Sequence, residues 1–559
     1  MRASSTEKAA GEGACLAPRH GRLYAPVQTA TGLKRSPQAA RARRQHGEPP
    51  VTERAISPPV SLRSEAAPPA RWAPVALVAV QICAWTALGA LFEGSIDADV
   101  AEGVVDGPEW RLSYLRHPPL SSWLSGVAST TGPWRYLVLF AIAVAFGCCA
   151  FALVSLFIRR VDGSAASLVA LLAGLGSPYA TYWPLKFNHN IGVMPFWALV
   201  LWTAWNAFEG GSLASWALFG AAVGFSLWAK YAILHLVAPL GVAFLLTPEW
   251  RKRLAGPGPW LAAAIAVAIV APQAIDVARH GATTLKWATH TTHSGAGERI
   301  GWMAAFVIDA ALANAPMALI AWLACGGERL KAAIRAMIAP ATRTRLDLFL
   351  HFAVVGPVVL IILAAPFGVR VFYHWLTPVT VGFAAWWGHA AARAGLQVLP
   401  RRVWFVFAAW AVVVVVGYVG EREAWRLQAP LSTGAYPEMD GPALAALAER
   451  YWAGHGGGPI PYLVSYDGKI GFQAAGSIVF DLPYRVRALD GGDTHNAPWL
   501  DVADLKRRGA LVVAAGPDLK ATIDGAPIEV LDLTAFVRPT LPGVKAPPQI
   551  YFGVISPQP

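Results

Sequence analysis

Charge is the commodity this chain is short of. Only 14% of its 559 residues are Asp, Glu, Lys or Arg, where a soluble chain carries about 25%, and that shortage excludes an ordinary water-facing protein. Cysteine is scarce as well. Cys15, Cys83, Cys148, Cys149 and Cys325 have no metal-type spacing and none lies beyond residue 420, which speaks against disulfides and against a Cys-bound zinc site. The C-terminal part contains no G-x-G-x-x-G fingerprint and no P-loop, so nucleotide binding has no support there. Nor does the chain show an internal repeat of the inverted-transporter kind.

Apolar and aromatic residues fill the space. The chain is 55% hydrophobic, with 24 Trp and a mean hydropathy of +0.43. Windows long enough for about 20 residues of helix occur near 72–92, 134–158, 165–184, 190–208, 256–277, 301–325, 348–367, 373–393 and 402–419. The stretch 212–247 has room for two more, broken at Lys230. These windows predict an all-α polytopic membrane bundle of about eleven transmembrane helices.

The net charge of +12 is unevenly placed. Residues 1–71 hold 12 Lys/Arg and 5 Asp/Glu, so much of the excess sits in a Pro-, Ala- and Arg-rich tail that reads as disordered rather than as a nucleic-acid surface. The tail is too long before its first apolar stretch to be a cleaved signal peptide, and the first span is expected to be retained. Basic residues in the tail, at 159–160, 251–253, 329–345 and 401–402 predict a cytoplasmic side. The loop 93–133, the turn 186–190, the loop 279–300 and everything after 420 then lie outside, in the periplasm of a bacterial inner membrane protein. Residues 420–559, with Gly/Pro punctuation and short apolar runs at 462–464, 478–480 and 510–515, predict a small α/β domain. The expected parts are therefore a tail over 1–71, a membrane domain over 72–419 and a C-terminal domain over 420–559.

The chemistry concentrates in the loop 93–133. If 99–106 is helical, Asp99, Glu102 and Asp106 share one face. Three carboxylates so placed are either solvated or serve cations or an acceptor hydroxyl. A structural reading stands beside the chemical one: Asp99 and Glu102 have capping-box spacing, and Asp97 suits an N-cap. Arg116-His117-Pro118-Pro119 sets two cations beside a rigid turn, which suits a phosphate at headgroup depth or a lipid anchor. Lys230 is an intramembrane cation, and its alternatives are a site role and snorkelling. Asn188-His189 could be a satisfied turn or a substrate contact, and His374-Trp375 an interface anchor or a substrate contact. His290 and His293, in the loop with His280, have a spacing that could hold a metal, but without a carboxylate or Cys partner they read as a solvated loop.

The acidic motif followed by Tyr114-x-Arg116-His117-Pro118-Pro119-Leu120-x-x-Trp123-Leu124 resembles the GT-C transferases that use polyprenyl-phosphate sugars. These include the lipid A aminoarabinose and rhizobial lipopolysaccharide core transferases and, more distantly, the protein O-mannosyltransferases of glycosyltransferase family 39. Echoes continue at Phe187-Asn188-His189-Asn190, Trp228-Ala229-Lys230-Tyr231 and His374-Trp375-Leu376-Thr377-Pro378. The resemblance implies that the carboxylate acting on the acceptor falls on Asp99 or Glu102, with Asp97 as neighbour. It implies that Arg116, His117 and Lys230 hold the donor phosphate, and that Tyr114, Asn188, His189 and His374 line the substrate. Many members have adjacent Asp-Glu, whereas the acids here are spaced as Asp97-Ala-Asp99-Val-Ala-Glu102, which leaves the base between them. The implied partners are a polyprenyl-phosphate sugar, a lipid or envelope-glycan acceptor and membrane lipids, with no nucleic acid. No metal ligand is assigned and a divalent cation is left open. The contrasting reading is a secondary transporter or flippase of an anionic solute, which predicts ionisable residues in mid-span.

Overall fold

The computed structural model describes residues 72–280, 295–367, 369, 371–427, 439–466, 468–517, 519–537 and 549–558. The tail and the loop histidines His290 and His293 lie outside the described residues.

Helix α1 spans Ala73–Phe92, with Pro74 in its first turn, and is followed by α2 (Ala98–Asp106) and α3 (Leu120–Ser129). The bundle continues through α4 (Arg135–Asp162), α5 (Ser164–Leu175), α6 (His189–Gly210), α7 (Leu213–Ala229) and α8 (Leu234–Leu246). A short α9 (Pro248–Arg251) precedes α10 (Gly258–Arg279) and α11 (Ala296–Cys325). Then come α12 (Gly327–Ile338), α13 (Arg345–Ala364), α14 (Val379–Arg393) and α15 (Arg401–Leu427). Among the described residues seven helices are long and apolar enough to cross a membrane, or eight if the pair around Thr247, bent by 97°, counts as one.

Each expected window carries a helix, but length does not support eleven full crossings. Window 165–184 is helical only to Leu175, because Gly176-Ser177-Pro178 and then Pro184 interrupt it with short 3-10 turns. Twelve residues of helix rise about 18 Å, short of a hydrocarbon core of about 30 Å. The irregular backbone that follows is buried in protein, at Ala180, Thr181 and Leu185, where such backbone is tolerated at membrane depth. Pro378 likewise delays α14 until Val379. Helix α12 is amphipathic, burying Leu330, Ala333 and Met337 on one stripe, as a helix lying along an interface does.

Helix ends sort into two groups. At one end His389 bonds to both Asp162 and Asp347 at 2.8 Å, and Arg345 pairs with Glu209 at 3.2 Å. Here Thr344 and Asp347 form the capping box of α13. At the other end lie the loop 93–133, the turn before α6 and the C-terminal domain. That domain contains α16 (Gly441–Ala453), β1 (Tyr462–Ser465), α17 (Gly468–Asp481), β2 (Arg487–Asp490), α18 (Val502–Arg508) and β3 (Ala510–Ala514). A two-stranded turn of β4 (Thr522–Ile523) and β5 (Ala526–Pro527) precedes β6 (Leu531–Val537) and β7 (Gln549–Ile555). The main sheet runs β2-β1-β3-β7-β6; β1 pairs parallel with β2 and β3, while β7 is antiparallel to β3 and β6. Leu463, Leu511 and Phe552 face a core with Leu444 and Ile478, and Tyr462, Val464 and Val512 face the opposite one. This is the expected α/β domain.

Candidate active site

Asp97 ends the extended chain after α1 and N-caps α2, its carboxylate accepting from the Asp99 amide at 3.1 Å. The capping reading of Asp97 is therefore the one that holds locally, and its other oxygen lies 3.9 Å from Lys186. With α2 started there, it buries Val100, Ala101, Gly103 and Val104 and, with them, Glu102. Asp99 is exposed, whereas Glu102 keeps only 9% of its surface. The Glu102 side of the expected capping box does not form: its carboxylate faces Arg116, 3.4 Å away.

The turn 188–190 gathers the site. Asn188 N-caps α6, its carbonyl accepting from the amides of Asn190 and Ile191, while its Nδ2 donates to Asp99 at 3.0 Å. His189 stacks on His117, ring centroids 3.8 Å apart. The Asn190 carbonyl accepts from Lys230 Nζ. Three successive residues thus touch the loop acid, the loop imidazole and the intramembrane lysine. Lys230 is positioned because α7 ends at Ala229 and the chain turns extended there.

Buried polar atoms without partners among the described residues include His189 Nε2 and, beside α6, Ser121 Oγ, with Ser122 Oγ of the same helix turn packed towards α2. The two serines occupy the first turn of α3, which has no side-chain cap. A helix N-terminus, two hydroxyls, two imidazoles and an ammonium form a donor set suited to phosphate oxygens. The His117 imidazole is pushed well below its usual range, first by burial and then by repulsion from His189, Lys230, Arg116 and His374.

Arg116 lies near His117 and is also engaged by two acids. It donates to Glu102 on one side and to Asp490, at 3.2 Å, on the other, so acids already engage it. It lines a small cavity with Glu102, Asp106, Phe472 and Asp490. Burial pushes the Glu102 carboxyl up to about 7, with Asp99 and Asp490 adding to the rise, and outweighs Arg116. Asp106 is raised too, by burial and then by Glu102.

His374 stacks on Phe372 at 5.2 Å and stands close enough to His117 to repel its protonated form. Tyr114 is buried, its hydroxyl accepting from the Arg111 amide and its ring edge-on to Trp499, 5.8 Å away. These contacts make Tyr114 part of the loop's packing. His280 pairs with Asp276 at 3.5 Å and with Arg111 at 2.7 Å. Among the described residues one group has three metal-ligand atoms within 4.8 Å of one another, Asp493, His495 and Asp524, all exposed. The loop acids instead engage Lys186, Asn188 and Arg116. Sequence reading missed Asn190, Ser121, Ser122 and Asp490. Asn190 and Ser121 lie beside motif residues and were within reach, but nothing near Asp490 marks it.

The bundle topped by an acidic loop and an α/β domain has a fold found among solved membrane proteins, and part of the chain matches a family model. Residues 116–275 match the family described as dolichyl-phosphate-mannose-protein mannosyltransferase. Among solved structures the fold is similar to ArnT from Cupriavidus metallidurans bound to undecaprenyl phosphate, with a TM-score of 0.57 and 15% identity over 88% of this chain and 100% of that one. It is also similar to the apo state of the same protein, with a TM-score of 0.53 and 16% identity over 87% of this chain and 98% of that one. No curated protein matches the sequence.

Proposed function

We propose that the chain transfers a sugar from a polyprenyl-phosphate donor to a lipid or envelope-glycan acceptor at the outer face of a bacterial inner membrane. The observation that carries this is the turn 188–190, which links Asp99, His117 and Lys230 in consecutive contacts. The reading is supported by the similarity in fold to ArnT, a protein whose structure is bound to undecaprenyl phosphate.

In the reaction, Asp99 or Glu102 takes the proton of the acceptor hydroxyl. The acceptor oxygen bonds to the anomeric carbon, the bond from that carbon to the phosphate oxygen breaks, and polyprenyl phosphate leaves with the electron pair. A single displacement inverts the anomeric centre. The leaving group is already a phosphate, so it needs charge stabilisation rather than a general acid, and in this reading Lys230, His117, His189 and the first turn of α3 supply it. Arg116 supports the acid side.

The test is transfer by purified protein in detergent from labelled polyprenyl-phosphate sugars to a membrane glycolipid extract. Loss of general base catalysis costs typically about 10²- to 10⁴-fold, so Asp99→Asn or Glu102→Gln, whichever is the base, should fall by that amount. Lys230→Ala should slow donor consumption at saturating acceptor. Full activity in the double variant Asp99→Asn/Glu102→Gln would overturn the base assignment. Donor left intact while labelled lipid or anionic solute crosses a proteoliposome would replace the transferase reading with the transporter one.

A further inference from the structure

The C-terminal domain does more than sit beside the loop. Gln473 donates to the Ile96 carbonyl at 3.0 Å, and Gly476 in α17 packs so close to α2 that a Cβ there would stand 2.3 Å from Ala101. Strands β2, β1 and β3 are parallel, and the chain passes from β1 to β2 on one side and to β3 on the other. Crevices at the carboxyl ends of such strands are where open α/β sheets bind ligands. Here that position is held by Ser465 and Asp490, bonded to each other at 3.1 Å. Gly491 and Gly492 follow, both left-handed, and a Cβ on Gly492 would meet the Thr522 carbonyl at 1.9 Å. The backbone after Asp490 is thereby fixed, with its second carboxylate oxygen on Arg116.

We propose that Asp490 is a positioning residue of the loop site: from the C-terminal domain it draws part of the Arg116 guanidinium away from Glu102, so that the seating of the domain sets how strongly Arg116 favours the Glu102 carboxylate. The inference rests on the transferase reading for its catalytic meaning but not for its geometry. Phe472 adds a second hold from the same domain, with Arg116 5.9 Å from its ring centroid. The groups facing Glu102 are Asp99 and Asp106 of its own helix, Arg116 of the loop and Asp490 of β2; Glu109, engaged by Arg485 and Arg487, acts on Asp106. Helix α3 brings no charged side chain, and among the described side chains α17 brings only Asp481, which accepts from Tyr136 at 2.9 Å.

Two opposite signs follow. Asp490 disfavours the Glu102 carboxylate through its own charge and by sharing Arg116, so Asp490→Asn should make Glu102 ionise at lower pH. Arg116→Gln should make it ionise at higher pH. The experiment is infrared difference titration of the full-length protein, with the Glu102 carboxyl band identified by its loss in Glu102→Gln, run beside the pH profile of transfer. In Asp490→Asn the Glu102 midpoint should fall by on the order of one pH unit, in Asp490→Glu it should stay nearer the parent value, and Asp493→Asn, an exposed acid of the same domain, should leave it in place. A midpoint unmoved in Asp490→Asn, or moved the same way by Arg116→Gln, overturns the proposal. If the midpoint moves as expected and the acid limb of transfer follows it, both the brace and Glu102 as base are supported. If the midpoint moves and the limb stays, the brace is supported and the base is Asp99. If the midpoint moves in a protein that consumes no donor, the brace stands and the transferase reading falls.

Discussion

At the scale of the residue, the site works by setting burial against charge. Glu102 is pushed up to about 7 mainly by burial, although Arg116 lies beside it. An acid whose folded pKa lies above its unfolded value binds more protons when folded, so its contribution to stability is greatest near or below the unfolded value of about 4.3 and is lost as pH rises towards the folded one. The full difference is of the order of 3 kcal/mol at 1.36 kcal/mol per unit. The melting midpoint of the protein should therefore fall more steeply between pH 5 and 8 than that of Glu102→Gln, and parallel slopes for the two would show that Glu102 titrates normally. Lys230, at the broken end of α7, donates to the side-chain carbonyl of Asn190, and the Asp99 carboxylate is its acidic neighbour.

At the scale of the element, close approach decides where the acids stand. Gly107, in ordinary helical conformation after α2, lies so near α3 that a Cβ would meet the Ser122 carbonyl at 1.9 Å and the Gly126 amide at 2.8 Å. Both contacts are backbone and cannot swing aside. Gly107→Ala should cost about 1–3 kcal/mol by overpacking and, by tilting α2, lower transfer at least about tenfold, since misplacing a catalytic group by about 1 Å can cost about 10²-fold. Gly210→Ala, where the added carbon meets nothing within 4 Å, is the control in the same transfer and melting assays. Equal behaviour of the two variants would mean that α2 is free to shift without consequence.

At the scale of the whole molecule, the bundle and the C-terminal domain are joined at many points around the loop. Arg135 donates to the carbonyls of Phe480 and Leu482, the Gly441 amide to the Gly94 carbonyl at 2.9 Å, and Arg485 reaches Glu109 at 2.5 Å. The Glu109 side chain is only 10% exposed, so removing its partners leaves a nearly buried charge unpaired, which is costly. Arg485→Ala/Arg487→Ala should loosen the domain from the loop, visible as amide exchange in 98–106 accelerated at least about tenfold with exchange in α4 unchanged. Unchanged exchange over 98–106 would mean that the remaining contacts suffice.

The sequence by itself determined that lipid solvates this chain, where its apolar segments lie and that an α/β domain follows them, and it marked the loop 93–133 by its acids and cations. These are local properties: hydropathy over a helix length, the alternation of short strands, and acids and cations packed within a few dozen residues. It also left Asp97 open between cap and catalyst, and in the fold the cap bond to the Asp99 amide forms. Only the tertiary structure decided which cations share a space. Asn188, His189 and Asn190 reach three different segments from one turn, and no spacing along the chain encodes that convergence. Arg116 reads as a phosphate ligand beside His117 because the two are neighbours in sequence. In space its guanidinium is drawn to Glu102 and to Asp490, 374 residues further along the chain, because charges pair through distance in three dimensions and not along the backbone.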